Sequence, residues 1–84
     1  MTKEQLDFEM EVRKKIKQGL DKLFKDNNLS QREFAKMFNF SQKSVSNWLN
    51  CKTMPKVSNL IDICKFYKIK ISYFLSTDIL NKKN

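Results

Sequence analysis

The stretch SQREFAKMFNFSQKSVSNWLN, running from Ser30 to Asn50, holds two helix starts separated by one short amphipathic run. Ser30 is placed to cap a helix, because its hydroxyl can accept from a backbone N–H that the first turn leaves unpaired. Glu33, three residues on, has the spacing of a capping box, in which the carboxylate reaches back to the amide of the cap residue. Helix is therefore predicted from Gln31. Within it Phe34, Ala35 and Phe38 share one face while Arg32, Glu33 and Lys36 point outward, so one side packs and the other is solvated.

Asn39 ends that helix. After glycine, asparagine is the residue that most readily takes the left-handed conformation by which a chain leaves a helix sharply. Ser41 can cap a second helix, in which Val45 and Trp48 lie three apart and pack inward with Leu49 beside them. Gln42, Lys43, Ser44, Ser46 and Asn47 are left near or on the outer face. A face meant only for water usually carries Glu–Lys pairs, yet no acidic residue occurs between Glu33 and Asp62. Amides and a lysine on a helix can reach base edges and phosphates.

On these residues the chain resembles the phage Cro/repressor-type helix-turn-helix family, also called XRE-type. The segment LSQREFAKMFNFSQKSVSNWL is similar to that family's helix 2, turn and helix 3, and MPKVSNLIDICKFYKIKISYFL to its helix 4, connector and helix 5. The resemblance spans about Leu29 to Leu75. It implies an all-α, lambda-repressor-like fold, a compact bundle of about five helices with a central helix-turn-helix, and a DNA-binding transcriptional regulator. Three positions depart from the pattern: Asn39 replaces the usual turn glycine, Leu49 stands where many members have glutamate, and Cys51 replaces a loop glycine. Leu49 would then expose an apolar side chain, and Cys51 would alter the loop geometry.

The charge agrees with a polyanionic partner, since Lys+Arg 17 against Asp+Glu 9 leaves a net charge of +8. Residues 1–28 hold seven Lys/Arg and six Asp/Glu and are nearly neutral, whereas residues 29–84 hold ten against three and carry +7 of the total. The basic excess thus coincides with the helix-turn-helix. Glu4, Asp7, Glu9 and Glu11 crowd the first turns, which suits a helix N-terminus and repels phosphate. With 84 residues the chain is read as one domain overall: a long N-terminal amphipathic helix in 1–28, the helix-turn-helix core in 29–76 and a C-terminal tail in 77–84. Cys51 and Cys64 are too few and too far apart for a zinc site, no histidine completes one, and neither metal nor cofactor is expected. They read as reduced thiols, with an oxidised pair as the alternative. With no apolar run near the ~20 residues of a membrane span and no signal-peptide pattern, no membrane partner and a cytoplasmic location are expected.

Outside the central motif the chain is helical. From about Glu4 to Asp26 the positions of Val12, Ile16, Leu20 and Leu23 make one narrow stripe, flanked by Phe8 and Phe24. Gly19 lies on the same side, where it either admits another helix closely or bends its own. Leu29 can staple onto the following helix from the position before the Ser30 cap. Pro55 breaks the chain after Asn50, Ser58 can cap a fourth helix, and Leu60, Ile61, Ile63, Cys64 and Tyr67 give that helix a wide apolar face. Ser72 to Leu75 makes a last helical turn or two. The aromatic residues Trp48, Phe34, Phe38, Phe40, Phe66 and Phe74 read as core.

In complexes of the resembled family the start of helix 3 enters the major groove. The resemblance therefore implies base contacts from Gln42, Lys43 and Asn47: an amide pairs with adenine N6 and N7, and a lysine donates to guanine O6 or N7. It implies phosphate contacts from Gln31, Ser41, Ser44, Asn50, Lys52 and Lys56. A single domain of this size covers few base pairs, so a homodimer on a roughly two-fold operator is expected, with Tyr73, Phe74, Ile79 and Leu80 as its surface and the long N-terminal helix as the competing one. The alternative reading is an antitoxin-like or adaptor protein that keeps the fold and uses it on a regulatory protein partner. An enzyme is disfavoured because no nucleophile–base pair and no phosphate-cradling glycine loop is legible.

Overall fold

The computed structural model describes residues 2–75, which form four α-helices and one 3-10 turn: α1 (Lys3–Asn27), α2 (Gln31–Phe38), α3 (Gln42–Leu49), α4 (Val57–Tyr67) and the turn Ile71–Tyr73. No strand occurs among these residues. The fifth helix expected from the sequence is this single 3-10 turn, followed by Phe74 in the right-handed helical region.

α1 begins in a capping box, with the Thr2 hydroxyl accepting from the Gln5 amide at 3.2 Å and the Gln5 side chain accepting from the Thr2 amide at 2.8 Å. It ends at Asn28, whose φ of 53° turns the chain out so that the Leu29 amide bonds the Phe24 carbonyl at 2.9 Å. Leu29 then packs on the core as a staple. The stripe Ile16, Leu20 and Leu23 is buried, with Val12 and Phe24 partly buried beside it, whereas Phe8 is exposed because α1 at that point runs beyond the other helices.

Gly19 is a site of close approach. A Cβ there would stand 2.7 Å from Phe74 Cδ1 and 3.1 Å from the Tyr73 carbonyl oxygen, so the missing side chain is what lets the 3-10 turn seat on α1. Phe74 is consequently fully enclosed in its own chain's core, which corrects its expected role on a dimer surface.

Three expectations for α4 change. Its N-cap is Lys56, with no side-chain cap bond, and the Lys56 carbonyl accepts from the Asn59 and Leu60 amides, so Ser58 already lies inside the first turn. Ile61 is exposed, because Leu60, Ile63 and Cys64 alone fill the inward arc of the helix. Phe66 is 59% exposed and reaches the core through edge contacts to Phe38 and Tyr67, at 5.4 and 5.0 Å between ring centroids. Tyr67 packs partly buried, with its hydroxyl enclosed and without a hydrogen-bond partner.

Candidate nucleic-acid interface

Two local devices fix where α2 and α3 start. The Ser30 hydroxyl accepts from the Glu33 amide at 3.1 Å and the Glu33 carboxylate accepts from the Ser30 amide at 2.9 Å, which closes the box expected from the sequence. That backbone hydrogen bond, foremost, holds the Glu33 carboxyl below its ordinary pKa. At the start of α3 the Ser41 hydroxyl accepts from the Ser44 amide at 3.0 Å and donates to the Ser44 hydroxyl at 2.8 Å. Between them Asn39, at φ 59°, makes the turn: its own amide bonds Lys36 and the Phe40 amide bonds the Ala35 carbonyl at 2.8 Å.

Aromatic packing sets how α3 lies against α2. Phe34 is fully buried and touches Phe38 and Phe40 at ring-centroid distances of 5.0 and 6.1 Å; Phe40 stacks on Phe38 at 5.5 Å and meets the Trp48 edge at 5.1 Å. Trp48 is thus core and not a base-stacking ring. Leu49 is only 8% exposed, so the apolar residue at the family's glutamate position is buried, contrary to the exposure expected for it.

With Val45, Trp48 and Leu49 inside, α3 presents Gln42 and Lys43 exposed, and Ser44, Ser46 and Asn47 half-exposed. Lys43 and Asn47 are one turn apart on the same side. Gln31 is exposed at the first position of α2 and shares no hydrogen bond with Gln42 among the described residues. Asn50 is exposed and its amide donates to the Ser46 hydroxyl at 3.3 Å. Lys52 and Lys56 are exposed in the loop that follows. Tyr73 is half-buried beside α1, while Ile79 and Leu80 lie outside the described residues.

The loop after α3 is built around a left-handed residue. Cys51 has φ 58°, a conformation that costs a residue with a Cβ about 1–2 kcal/mol. The Cys51 amide bonds the Trp48 carbonyl at 3.2 Å and the Lys52 amide the Asn47 carbonyl at 2.9 Å, so the loop follows glycine-like geometry despite the substitution. Arg13 of α1 donates to the Cys51 carbonyl at 3.3 Å and to Glu9 at 3.4 Å. No local sequence signal marks this contact, since its partners are 38 residues apart.

Three ion pairs, Glu9–Arg13, Lys17–Asp21 and Lys22–Asp26, join successive turns of α1. Lys17–Asp21 and Lys22–Asp26 are solvent-screened and do little to hold the fold. Their effect is on charge: Asp21 and Asp26 hold Lys17 and Lys22 above the ordinary lysine pKa, chiefly through the hydrogen bond each carboxylate accepts. Lys43, Lys52 and Lys56 make no such pair, and Glu33 is engaged in its cap. The segment from α3 through the loop is therefore amide-bearing and positive, with no acidic residue of its own between Ser41 and Lys56. Among the described residues no cluster of acidic or thiol groups is arranged to hold a metal, and no helix is long and apolar enough to cross a membrane.

An exposed helix start carrying amides and a lysine, braced by a second helix through a tight left-handed turn, is the surface of a helix-turn-helix DNA-binding protein. The family model described as helix-turn-helix matches residues 20–74, and the chain belongs to that family, in its XRE-type branch of DNA-binding transcription regulators. Comparison with the curated proteins and with the solved structures finds no match to either.

Proposed function

We propose that the chain is a sequence-specific repressor that inserts the start of α3 into the major groove of an approximately two-fold operator. Gln42, Lys43 and Asn47 read base edges, with Gln42 suited to adenine and Lys43 to guanine, each good contact contributing about 1–3 kcal/mol of discrimination. Gln31, Ser41, Ser44, Asn50, Lys52 and Lys56 take phosphates. Ser41 and Ser44 share one hydrogen bond, which leaves one hydroxyl proton of the pair for an outside acceptor. The observation that carries the reading is the outer face of α3: polar, uncompensated by any acidic residue from Phe34 to Ile61, and held rigid by a cap at its start.

Binding as a homodimer supplies the second half-site, about one helical turn away. Val57 and Ile61, one turn apart on α4, and Ile71 are exposed apolar side chains that support such a surface. A second reading has its own support, since Leu6, Phe8 and Met10 are exposed on the first turns of α1 among Glu4, Asp7, Glu9 and Glu11. These turns suit an antitoxin-like or adaptor protein that engages a basic protein partner.

Selection of bound duplexes from a random library decides between the two. A two-fold motif that Gln42→Ala loosens at one position is the expected result. Weak binding of every duplex with one common salt dependence, unchanged by Gln42→Ala, would instead mean non-specific attraction to polyanion and would turn attention to a protein partner.

A further inference from the structure

The stretch of α1 before residue 20 lies outside the segment that matches the helix-turn-helix family, yet it reaches into the loop that follows the recognition helix. The Arg13 guanidinium is half-buried there. One terminal nitrogen donates to the Cys51 carbonyl, the other to the Glu9 carboxylate, and Nε is enclosed with no acceptor. The planar fork of arginine is rigid, so the Glu9 carboxylate on one terminal nitrogen sets where the other terminal nitrogen points. That point is the carbonyl of the one loop residue with left-handed backbone. Residues in that conformation that are not glycine persist only where their surroundings over-determine them.

The loop's own bonds, Cys51 to Trp48 and Lys52 to Asn47, tie it back to α3. The Arg13 bond alone among these ties it to a different helix. It bridges 38 residues, whereas the caps and helix ion pairs join residues three or four apart. The neighbours of Cys51 on either side are Asn50 and Lys52, both exposed.

We propose that Arg13, held by Glu9, is a positioning residue for DNA binding: it fixes the left-handed turn at Cys51 and so aims Asn50 and Lys52 at the phosphate backbone. The proposal rests on the reading of this loop as a phosphate contact. Arg13 is half-buried with a bond on each terminal nitrogen inside the chain, so it acts through the loop. The extended part of α1 thereby supports the DNA-binding surface from behind, and Glu9 tunes affinity without contacting nucleic acid.

The test uses the full chain and the duplex selected above, with Arg13→Gln, Arg13→Lys, Lys52→Ala and the double variant Arg13→Gln/Lys52→Ala. Amide hydrogen exchange of the free protein reads the loop directly. Arg13→Gln is expected to speed exchange at Lys52 and Thr53 while the amides of α2 stay protected, and to weaken duplex binding by about tenfold, as loss of a hydrogen bond from a charged donor commonly does. Arg13→Lys, which keeps the charge and loses the fork, should fall with Arg13→Gln. In the Lys52→Ala background the Arg13→Gln loss should shrink severalfold, since the group being aimed is gone. Unchanged exchange at Lys52 and Thr53 would overturn the strut. Losses that multiply independently, with a further drop of about one in the salt slope, would overturn positioning in favour of a direct phosphate contact. If the wild-type chain shows no preferred duplex while exchange responds as expected, the DNA reading fails and the strut stands as a loop constraint only.

Discussion

Gly19→Ala puts two well-measured effects in opposition. In a helix interior alanine is favoured over glycine by about 1 kcal/mol, so a helix free of neighbours would gain that much. Here the added Cβ would sit 2.7 Å from Phe74 Cδ1, 3.1 Å from Cε1 and 3.1 Å from the Tyr73 carbonyl oxygen. Favourable carbon contacts lie near 3.5–4.0 Å, so the ring must retreat by roughly 0.8 Å or more. Phe74 is fully buried and Tyr73 contributes backbone, so neither has space to move cheaply. Overpacking of this kind costs about 1–3 kcal/mol, and with two neighbours resisting we take the upper half of that range. The expected net is a loss of about 1–2 kcal/mol, which for a chain of this size lowers Tm by about 5–15 °C. Thermal and urea melts followed by far-ultraviolet circular dichroism measure it. In a Phe74→Leu background the same substitution should turn neutral or stabilising, because the obstructing ring is gone. A Gly19→Ala variant more stable than the parent by about 1 kcal/mol would refute the close-approach argument and leave helix propensity as the governing term.

Tyr67→Phe removes a buried hydroxyl that has no partner, and urea melts should show it neutral or up to about 1 kcal/mol more stable than the parent. Leu49→Glu restores the acid common in the family but places it in a buried position; a loss of about 3 kcal/mol at neutral pH, shrinking as the buffer is made acidic enough to protonate the carboxyl, is expected in melts across pH. Burial raises the pKa of Cys64, Tyr67 and Tyr73, whose ordinary values are 9.0 for the thiol and 10.0 for the phenols. Their stabilising share is complete below those ordinary values and is lost as pH rises through the raised ones, so Tm should decline above about pH 9. Glu33 acts in the opposite sense: its folded pKa is lowered from 4.5, so its share is present above that value and lost as pH falls through the folded one. A Tm that stayed level from neutral pH to strongly alkaline buffer would contradict the burial of these groups.

The parts of this fold legible in the sequence are those that chemistry decides within four residues. Ser30 with Glu33, Asn39 and Ser41 each act on backbone groups one turn away, and each does what its spacing predicts. Partners distant in the chain leave no such mark. Gly19 is compatible with two uses in the sequence because Phe74, which settles it, is far along the chain. Ile61 and Phe66 look like core because helical periodicity finds the apolar face of α4 but not how wide an arc of it the rest of the chain covers. Ser58 is a good cap residue, but the chain leaving the buried Pro55 turns helical earlier, at Val57, with Lys56 as the extended cap. Leu49 was misplaced by analogy with a charged residue, although its position next to Trp48 already suited burial. Arg13 carries no local signal at all, and its role follows only from where α1 passes the loop after α3.

The recognition helix has eight residues, as does α2 before it. Helices shorter than about 12–15 residues are marginal in water, so α3 persists because Phe40, Trp48 and the buried Phe34 hold it in place. A peptide cut from this segment would have nothing to present, and the whole domain must be folded for the outward side chains of α3 to be held together. The observed affinity is then the intrinsic one scaled by the folded fraction. Every core substitution that brings the melting transition near the working temperature makes DNA occupancy collapse over a few degrees of warming, with no change in any residue that touches DNA. Heat-sensitive alleles are therefore expected to map to the interior of this domain, with Phe34 and Phe74 among the most potent positions.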